Sequence, residues 1–340
     1  MELRDATPGE IEGVLERTHA LWSDGLGMSE YQDFIRTLMA SEWAAGGGPI
    51  GPASTDGGAR NYRFLVLVDG PEGKVLAGVK LYRFAARLDE EVIPVGGIGA
   101  VFTPPELRRH GYAAEMIART HTIMAERGDG LSLLFSEIGE AYYRKLGYRT
   151  MEPHTVRLAV PPVGPPPPRG LTRMHRTGLD TVIRLRERED AGAAFALVRD
   201  LPYWKHLLAR ASYPTLSLGR EKWESRLMVA GSGGYLWSMF GPAHEGAAAK
   251  LLEFGESQPG SALRALLDEF FEECRRRGIE EVDAWLPPAL AARDPRLSGA
   301  GARPLSPPPV VPMWLPLDRQ AEADMTRHAG SALLHLTDVF

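Results

Sequence analysis

A mixed α/β fold, an α+β mixed sheet in each of two halves, is predicted for this chain of 340 residues. Three observations carry the expectation. Short apolar segments with strand character alternate with segments of helical period through the first half. A turn rich in arginine and glycine, within "TPPELRRHGYAAEMI" (103–117), stands where one such strand hands over to a helix. The second half repeats a strand, strand, helix, strand order. Between the halves runs "VPPVGPPPPRG" (160–170), whose prolines cannot continue a helix and suit a stiff, extended connector. The expected division is residues 1–158, a linker over 159–170, and residues 171–340.

Each element has a local reason. "ELRDA" is a short strand, and Thr7, Pro8 and Glu10 form a helix cap before "IEGVLERTHALW". A second helix starts at Ser29, and "AAGGGPIGPASTDGGA" reads as a mobile loop by composition. "YRFLVLVDG" and "KVLAGVKLYRFAARL" make a hairpin around "DGPEG", followed by the strand "VIPVGGIGAVF". Beyond the turn, Ala113, Met116, Ile117, Ile123 and Met124 fall at helical spacing. "LSLLFS" is a buried strand, "GEAYYRKLG" a short helix ended by Gly147, and "EPHTVRLAV" a strand that closes the first half. In the second half come the strands "GYLWSMF" and "AAAKLLEF", the helix "SALRALLDEFFEECRRRG" and the strand "EEVDAWLPP". A helix over "LPYWKHLLARASY" is expected to place Trp204 in the core and His206 at the surface. "SALLHLTDVF" reads as a strand, apolar to its last residue.

Composition excludes several classes of function. Hydrophobic content of 44% and charged content of 24% are those of an ordinary globular protein. Every apolar run is shorter than the roughly 18 residues of a spanning helix, so no membrane partner is expected. The acidic start "MELRDATPGE" lacks the basic charge of a signal peptide, which points to a cytoplasmic location. The one cysteine, Cys274, forms no intrachain disulfide and reads as a structural helix residue. A net charge of −5 argues against nucleic acid and is compatible with a cationic small molecule. No metal is expected. The oligomeric state stays open, and a homo-oligomer is compatible with the composition.

The chemistry concentrates in two stretches. In the turn, Arg108, Gly111 and Ala113 form the pattern Arg-x-x-Gly-x-Ala. Amides at a helix start have no partner within the helix and bind anions, glycine lets the backbone come close, and arginine adds a forked donor. Further on, "SEIGEAYYRKLGY" sets Tyr143 four residues before Gly147 at the end of a buried strand. A tyrosine there can donate a proton to a thiolate leaving group.

In this order the residues resemble a GNAT-type N-acetyltransferase over residues 1 to about 158. "GAVFTPPELRRHGYAAEMI" resembles that family's acetyl-CoA pyrophosphate motif, and "YYRKLGY" its Tyr-x-x-x-Gly-Phe/Tyr segment. The resemblance implies a GNAT fold in the first half and acetyl-CoA as co-substrate. The acceptor would be a primary amine of a small molecule: a lysine-like amine, a polyamine or an aminoglycoside. It implies that amides around Arg108, Arg109, Gly111, Tyr112, Ala113 and Ala114 bind the pyrophosphate. It implies that the strand at Val101, Phe102 and Thr103 pairs with the pantetheine arm, and that Tyr143 is the general acid. The paired Pro104 and Pro105 and the glycine-rich strand depart from the family pattern and leave the strand's register open.

"LWSDGLGMSEYQDFI", "SEIGEAYYRKLGY" and "YWKHLLARASY" together look similar to the fungal lysine N-acetyltransferase group. The tandem plan also resembles acetyltransferases of the enhanced-intracellular-survival type, whose three domains exceed 340 residues. The base stays open between Glu137 and the C-terminal carboxylate of Phe340, a group that recurs in that second type. Trimming the last three residues is expected to spare folding and cripple turnover. Trp22, Asp24, Glu30 and Tyr31 are expected to form the amine pocket, and His121 is placed on the outer face of its helix. The second half reads as a degenerate GNAT-like domain. Its turn "GESQPGS" lacks the arginine signature, and Pro259 removes an amide donor. The rival reading is a catalytically silent acyl-CoA sensor or an interaction module.

Overall fold

The computed structural model describes residues 1–339 apart from 49–59, 71–72, 165–170, 174–177, 221, 242–246 and 261. The loop read as mobile and the end of the proline connector therefore fall largely outside the described residues. Strand β1 (Glu2–Asp5) leads into α1 (Pro8–Trp22), which carries the capping box its sequence encodes between Thr7 and Glu10. Arg4 clamps the same carboxylate with two bonds of 2.8 Å, and together with the cap it draws Glu10 down to a pKa of about 2. There follow α2 (Met28–Met39), β2 (Tyr62–Val68), β3 (Val75–Leu88), β4 (Glu91–Phe102), α3 (Tyr112–Glu126), β5 (Leu131–Ser136), α4 (Ala141–Arg144), β6 (Arg149–Thr150) and β7 (Thr155–Ala159).

The second half contains β8 (Thr172–Arg173), α5 (Leu179–Asp190), β9 (Phe195–Leu197), α6 (Leu201–Leu218), β10 (Glu224–Ala230), β11 (Gly234–Phe240) and β12 (Ala249–Glu256). Then come α7 (Leu263–Arg276), β13 (Glu281–Trp285), α8 (Pro288–Ala291), β14 (Ala302–Pro304), β15 (Val311–Pro316), α9 (Arg319–His328) and β16 (Ala332–Leu333). The repeated order appears as β11, β12, α7 and β13. One face of α7 buries Leu263, Leu266, Leu267, Phe270, Phe271 and Cys274. Burial, with the Glu273 charge beside it, pushes the Cys274 thiol up to about 12, so it is a packing residue.

Two mixed sheets result. The first runs β1-β2-β3-β4-β5-β15-β6, with β9 joined to the far end of β3 and β16 joined to β9. The second runs β14-β7-β13-β12-β11-β10-β8. The chain therefore exchanges strands. The segment expected to close the first half, "EPHTVRLAV", pairs as β7 between β13 and β14 of the second sheet. The place beside β5 goes to β15, which comes from far along the chain. The reason lies in its side chains: Met313 and Trp314 point to opposite faces, are 0% and 2% exposed, and complete two different cores. Pro312 is tolerated because its carbonyl receives the Met151 amide at 2.9 Å. Its missing N–H falls on that same side, next to the two-residue β6, and leaves the β5 ladder intact.

The C-terminal stretch also departs from expectation. It supplies only the short β16 and then a 3₁₀ turn, Leu336–Asp338, whose Asp338 is fully buried against Arg199.

The largest core joins the two halves. Trp43, Phe84 and Trp314 of the first sheet's side meet Tyr203, Trp204 and Trp237 of the second half. Trp204 stacks on Trp237 at 5.9 Å, as core packing predicts. His206 is the surprise: it is 5% exposed, with Ser41 Oγ 2.9 Å from its Nδ1 and its ring 4.6 Å from that of Trp43. Burial, reinforced by the Arg210 charge, lowers its pKa to about 3. A group whose folded pKa lies below its unfolded value of about 6.5 contributes fully above that pH and loses its contribution as pH falls. Between pH 6 and 4 the stability measured by urea unfolding should therefore drop by about 1.4 kcal/mol per pH unit on account of His206. His206→Gln should lose that part of the slope; an unchanged slope would show that the imidazole charges freely in the folded chain.

Among the described residues, no helix is long and apolar enough to cross a membrane, and no group of side chains could hold a metal ion.

Candidate active site

The site begins where two parallel strands part. β4 is laddered to β3 along its length but to β5 only over Val95–Ile98. Beyond that point β5 continues against β15 on its other side. A bulge marks the divergence. Gly78 pairs with Phe102 and Lys80 with Gly99, so Ala100 and Val101 face one residue, and Ala100 takes a φ of 46°. The outer backbone edge of Gly99–Phe102 thus has no ladder partner among the described residues. Such an edge is where an extended ligand arm adds as a strand. The strand's register, left open by its glycines, is set by these pairs. Gly96 lies under α3, where a Cβ would come within 2.6 Å of Met124 Sδ. Its absence lets the helix sit directly on the strand.

Pro104 and Pro105 end the strand and start a 3₁₀ turn, Pro105–Leu107, closed by Leu107 N–H to the Pro104 carbonyl at 2.8 Å. Arg109 and Gly111 are then both left-handed, with φ of 67° and 83°. A Cβ on Gly111 would touch nothing, so glycine is needed there for its conformation rather than for space. Among the described residues, the amides from Arg109 through Ala114 find no acceptor. The Glu115 amide is the first to close, onto the Gly111 carbonyl at 3.0 Å. Six successive free N–H groups at a helix start make an anion cradle. One expectation is corrected here. The Arg108 amide is spent on the Pro105 carbonyl at 3.3 Å and its Nε on the Thr103 carbonyl at 3.3 Å, while His110 joins the cradle. The guanidinium groups of Arg108 and Arg109 are exposed at its rim.

Tyr143 stands on α4, past the end of β5. Its ring is 8% exposed and packs edge-on against Tyr142 at 5.1 Å and Tyr148 at 5.9 Å. Burial, with Tyr142 and Glu137 nearby, pushes its hydroxyl up to about 12. It makes no hydrogen bond with a described residue, whereas Tyr148 is fully engaged, between Ser132 Oγ at 2.6 Å and His121 Nε2 at 2.8 Å. His121 is therefore not on an outer face as its position suggested; burial lowers its pKa to about 4. Glu137 is exposed, one residue beyond β5. Phe340 lies outside the described residues.

Residues 3–151 match the family model described as an acetyltransferase (GNAT) domain. Over that stretch the first half of the chain is similar to GNAT acetyltransferase domains. No curated protein matches the sequence. Among solved structures, the chain is similar to a GCN5-related N-acetyltransferase from Anabaena variabilis, with a TM-score of 0.62 at 16% identity over 93% of this chain and 73% of that one. It is similar to Eis1 from Mycobacterium abscessus, with a TM-score of 0.52 at 15% identity over 93% and 74% of the two chains. A tandem GNAT protein from the clavulanic acid biosynthesis pathway gives a TM-score of 0.55 at 12% identity over 94% and 99%. These likenesses show the GNAT fold and are consistent with a two-domain arrangement. None of them bears on the fungal lysine acetyltransferase group.

On the other face of the first sheet lie α1, α2 and, from the second half, α6. Here the expected amine pocket is only partly assembled. Trp22 is half-buried against Val14, Phe64 and Phe102. Glu30 is engaged at the start of α2, accepting the Gly27 amide at 2.8 Å, a capping task that the sequence reading did not assign. Asp24, in a left-handed turn, and Tyr31, 1% exposed, do come together: burial chiefly, then the Asp24 charge, raises the Tyr31 hydroxyl to about 12. Beside them the structure brings two cations that sequence reasoning missed, Lys80 of β3 and Arg210 of α6. Burial and then Arg210 lower the Lys80 ammonium to about 8, while Asp24 opposes the fall. A lysine between Val79 and Leu81, inside the apolar first part of the strand, was the available signal; nothing local tied Arg210 to it.

Proposed function

We propose that this protein transfers an acetyl group from acetyl-CoA to a primary amine of a small molecule by direct attack on the thioester. The carrying observation is the run of unpartnered amides from Arg109 to Ala114, at the end of a strand that parts from its parallel neighbour. In this reading those amides hold the pyrophosphate, with the Arg108 and Arg109 side chains adding charge at the rim. The free edge at Val101, Phe102 and Thr103 aligns the pantetheine arm, and amides there polarise the thioester carbonyl. The thioester supplies the acetyl group: the amine nitrogen bonds to its carbonyl carbon as the carbon–sulfur bond breaks.

Two protons then need places. An aliphatic ammonium has a pKa of about 10.4, so the acceptor must be stripped of a proton before it attacks. Glu137 or the Phe340 carboxylate takes a proton from the nitrogen. Tyr143, held neutral at any physiological pH, presents its own to the leaving sulfur. The desolvation that raises the phenol also raises the thiolate's proton affinity, so the two shifts offset one another in that transfer.

A thermal-shift titration tests the binding half. Acetyl-CoA at 100 times its Kd adds about 2.7 kcal/mol, a rise of several degrees. Gly111→Val should lose most of the rise, because a side chain in the left-handed region costs about 1–2 kcal/mol. No rise with any acyl-CoA would sink the reading. A rise without thiol release in the presence of lysine, polyamines or aminoglycosides would leave a binding protein and remove the transfer step.

A further inference from the structure

We propose that the second half is an acyl-CoA site closed from within. The Glu256 carboxylate fills its anion cradle and the Glu189 carboxylate caps the edge of its strand, so the chain takes up acyl-CoA in the first half alone. The proposal rests on the reading of the first cradle given above. It starts from a geometry that the two halves share. β12 runs parallel to β13 only over Ala249–Leu251 and then parts from it, as β4 parts from β5 after Ile98. A bulge marks both partings. Trp237 faces Glu253 and Ser238 faces Leu251, which leaves Leu252 as the extra residue just past the last parallel pair. In each half the freed strand then turns into the helix that crosses to the next parallel strand, α3 or α7. Three residues before each helix start the backbone is left-handed, at Arg109 with φ of 67° and at Gly260 with φ of 77°.

What differs is the partner of the freed amides. At the start of α3 they find no acceptor among the described residues. At the start of α7 three of them close on one side chain. Gly260 donates to Glu256 Oε1 at 2.8 Å, and Ala262 and Leu263 donate to its Oε2 at 3.2 and 3.1 Å. Glu256 is the last residue of β12 and is 3% exposed. A carboxylate accepting amides at a helix start makes charge-assisted bonds of the kind a phosphate makes there. The strand edge is closed in the same way. Ser257 donates its amide to Gly233, beside β11, so the Glu256 amide one residue earlier points to the side that β13 has left. It goes to Glu189 Oε1 of α5 at 3.3 Å, and Arg293 holds that carboxylate by both oxygens, at 2.5 and 2.6 Å. Two carboxylates from separate elements thus take the places that are open in the first half, and their charge repels an incoming pyrophosphate.

The test uses the full chain. Equilibrium dialysis should find one acetyl-CoA per chain at saturation. Hydrogen exchange should find the amides of Gly260, Ala262 and Leu263 slow without ligand and unchanged by acetyl-CoA. Those of 109–114 should be fast until acetyl-CoA slows them. Glu256→Ala should melt several degrees lower, because three amides lose their acceptor. Sodium acetate or inorganic phosphate, against sodium chloride of equal ionic strength, should raise the melting temperature of that variant several degrees more than the parent's. A second acetyl-CoA per chain, slowing of the three α7 amides by acetyl-CoA, unchanged melting of Glu256→Ala, or no excess rise with either anion would each overturn the proposal. If Glu256→Ala does not fold, Glu256→Gln, which keeps one acceptor oxygen and drops the charge, should still melt below the parent; equal melting overturns the proposal too. No bound acetyl-CoA, with the α7 amides slow and the anion rescue intact, would instead overturn the reading of the first cradle and leave Glu256 as the occupant of the second.

Discussion

Tyr143→Phe is expected to lower kcat for thiol release by about 10²–10³-fold while leaving the KM for acetyl-CoA within a factor of about three. The size follows from what the hydroxyl does and does not do. It bonds to no described residue, so its loss leaves no buried partner unsatisfied, and the ring keeps its contacts with Tyr142 and Tyr148. Stability should therefore change little, and the effect falls on the step in which sulfur leaves. The anion cradle is untouched, since it is built from amides on the other side of β5 in sequence. Single-turnover thiol release and a melting curve on the same sample separate the outcomes. Turnover at the unaltered rate would remove Tyr143 from the acid role. A collapse of the melting temperature would instead show that the hydroxyl is structural.

Asp338→Ala is expected to cost about 3–5 kcal/mol, on the order of 5–10 °C in melting temperature. Arg199, just past β9, is 0% exposed in its side chain and bonds Asp338 at 2.5 Å and Glu253 of β12 at 2.5 Å. Thr337 bonds both Arg199 and Glu253. Burial opposes the charge on Arg199, but Asp338 and Glu253 outweigh it and hold the guanidinium charged. Burial likewise opposes the Glu253 carboxylate, yet Arg199 and Arg186 keep it below its usual range. Removing Asp338 leaves a buried cation with half its counter-charge, the costly way to break such a cluster. Because β9 is laddered to the first sheet and β12 belongs to the second, the cluster fastens the C-terminus to both. This overturns the expectation that the last three residues can be trimmed without harm to folding. A test of the terminal carboxylate should remove Phe340 alone. Melting of Asp338→Ala within 1 °C of the parent, roughly the scatter between surface variants, would show that the cluster adds nothing.

Much of the first half was legible because its signals are local. The Thr7–Glu10 cap, the hairpin of β2 and β3 and the left-handed Gly111 depend on neighbours within a few residues. The anion cradle was legible for the same reason, down to the arginine and glycine that shape it. What its sequence did not disclose was that the Arg108 amide is already spent, since that depends on the 3₁₀ turn started by the paired prolines. His121 and His206 were misplaced because a lone polar residue on a helix declares no face until its partners are known. Tyr148 draws in the first and Ser41 the second.

The order of strands and helices, the strand-to-turn-to-helix segment and the acidic composition were set by the sequence alone, the first two through backbone propensity and the period of apolar residues. The tertiary structure decided which sheet each strand joins: β7 and β15 change places because a strand's register is chosen by the faces it buries, and Met313 and Trp314 find theirs only beside β5.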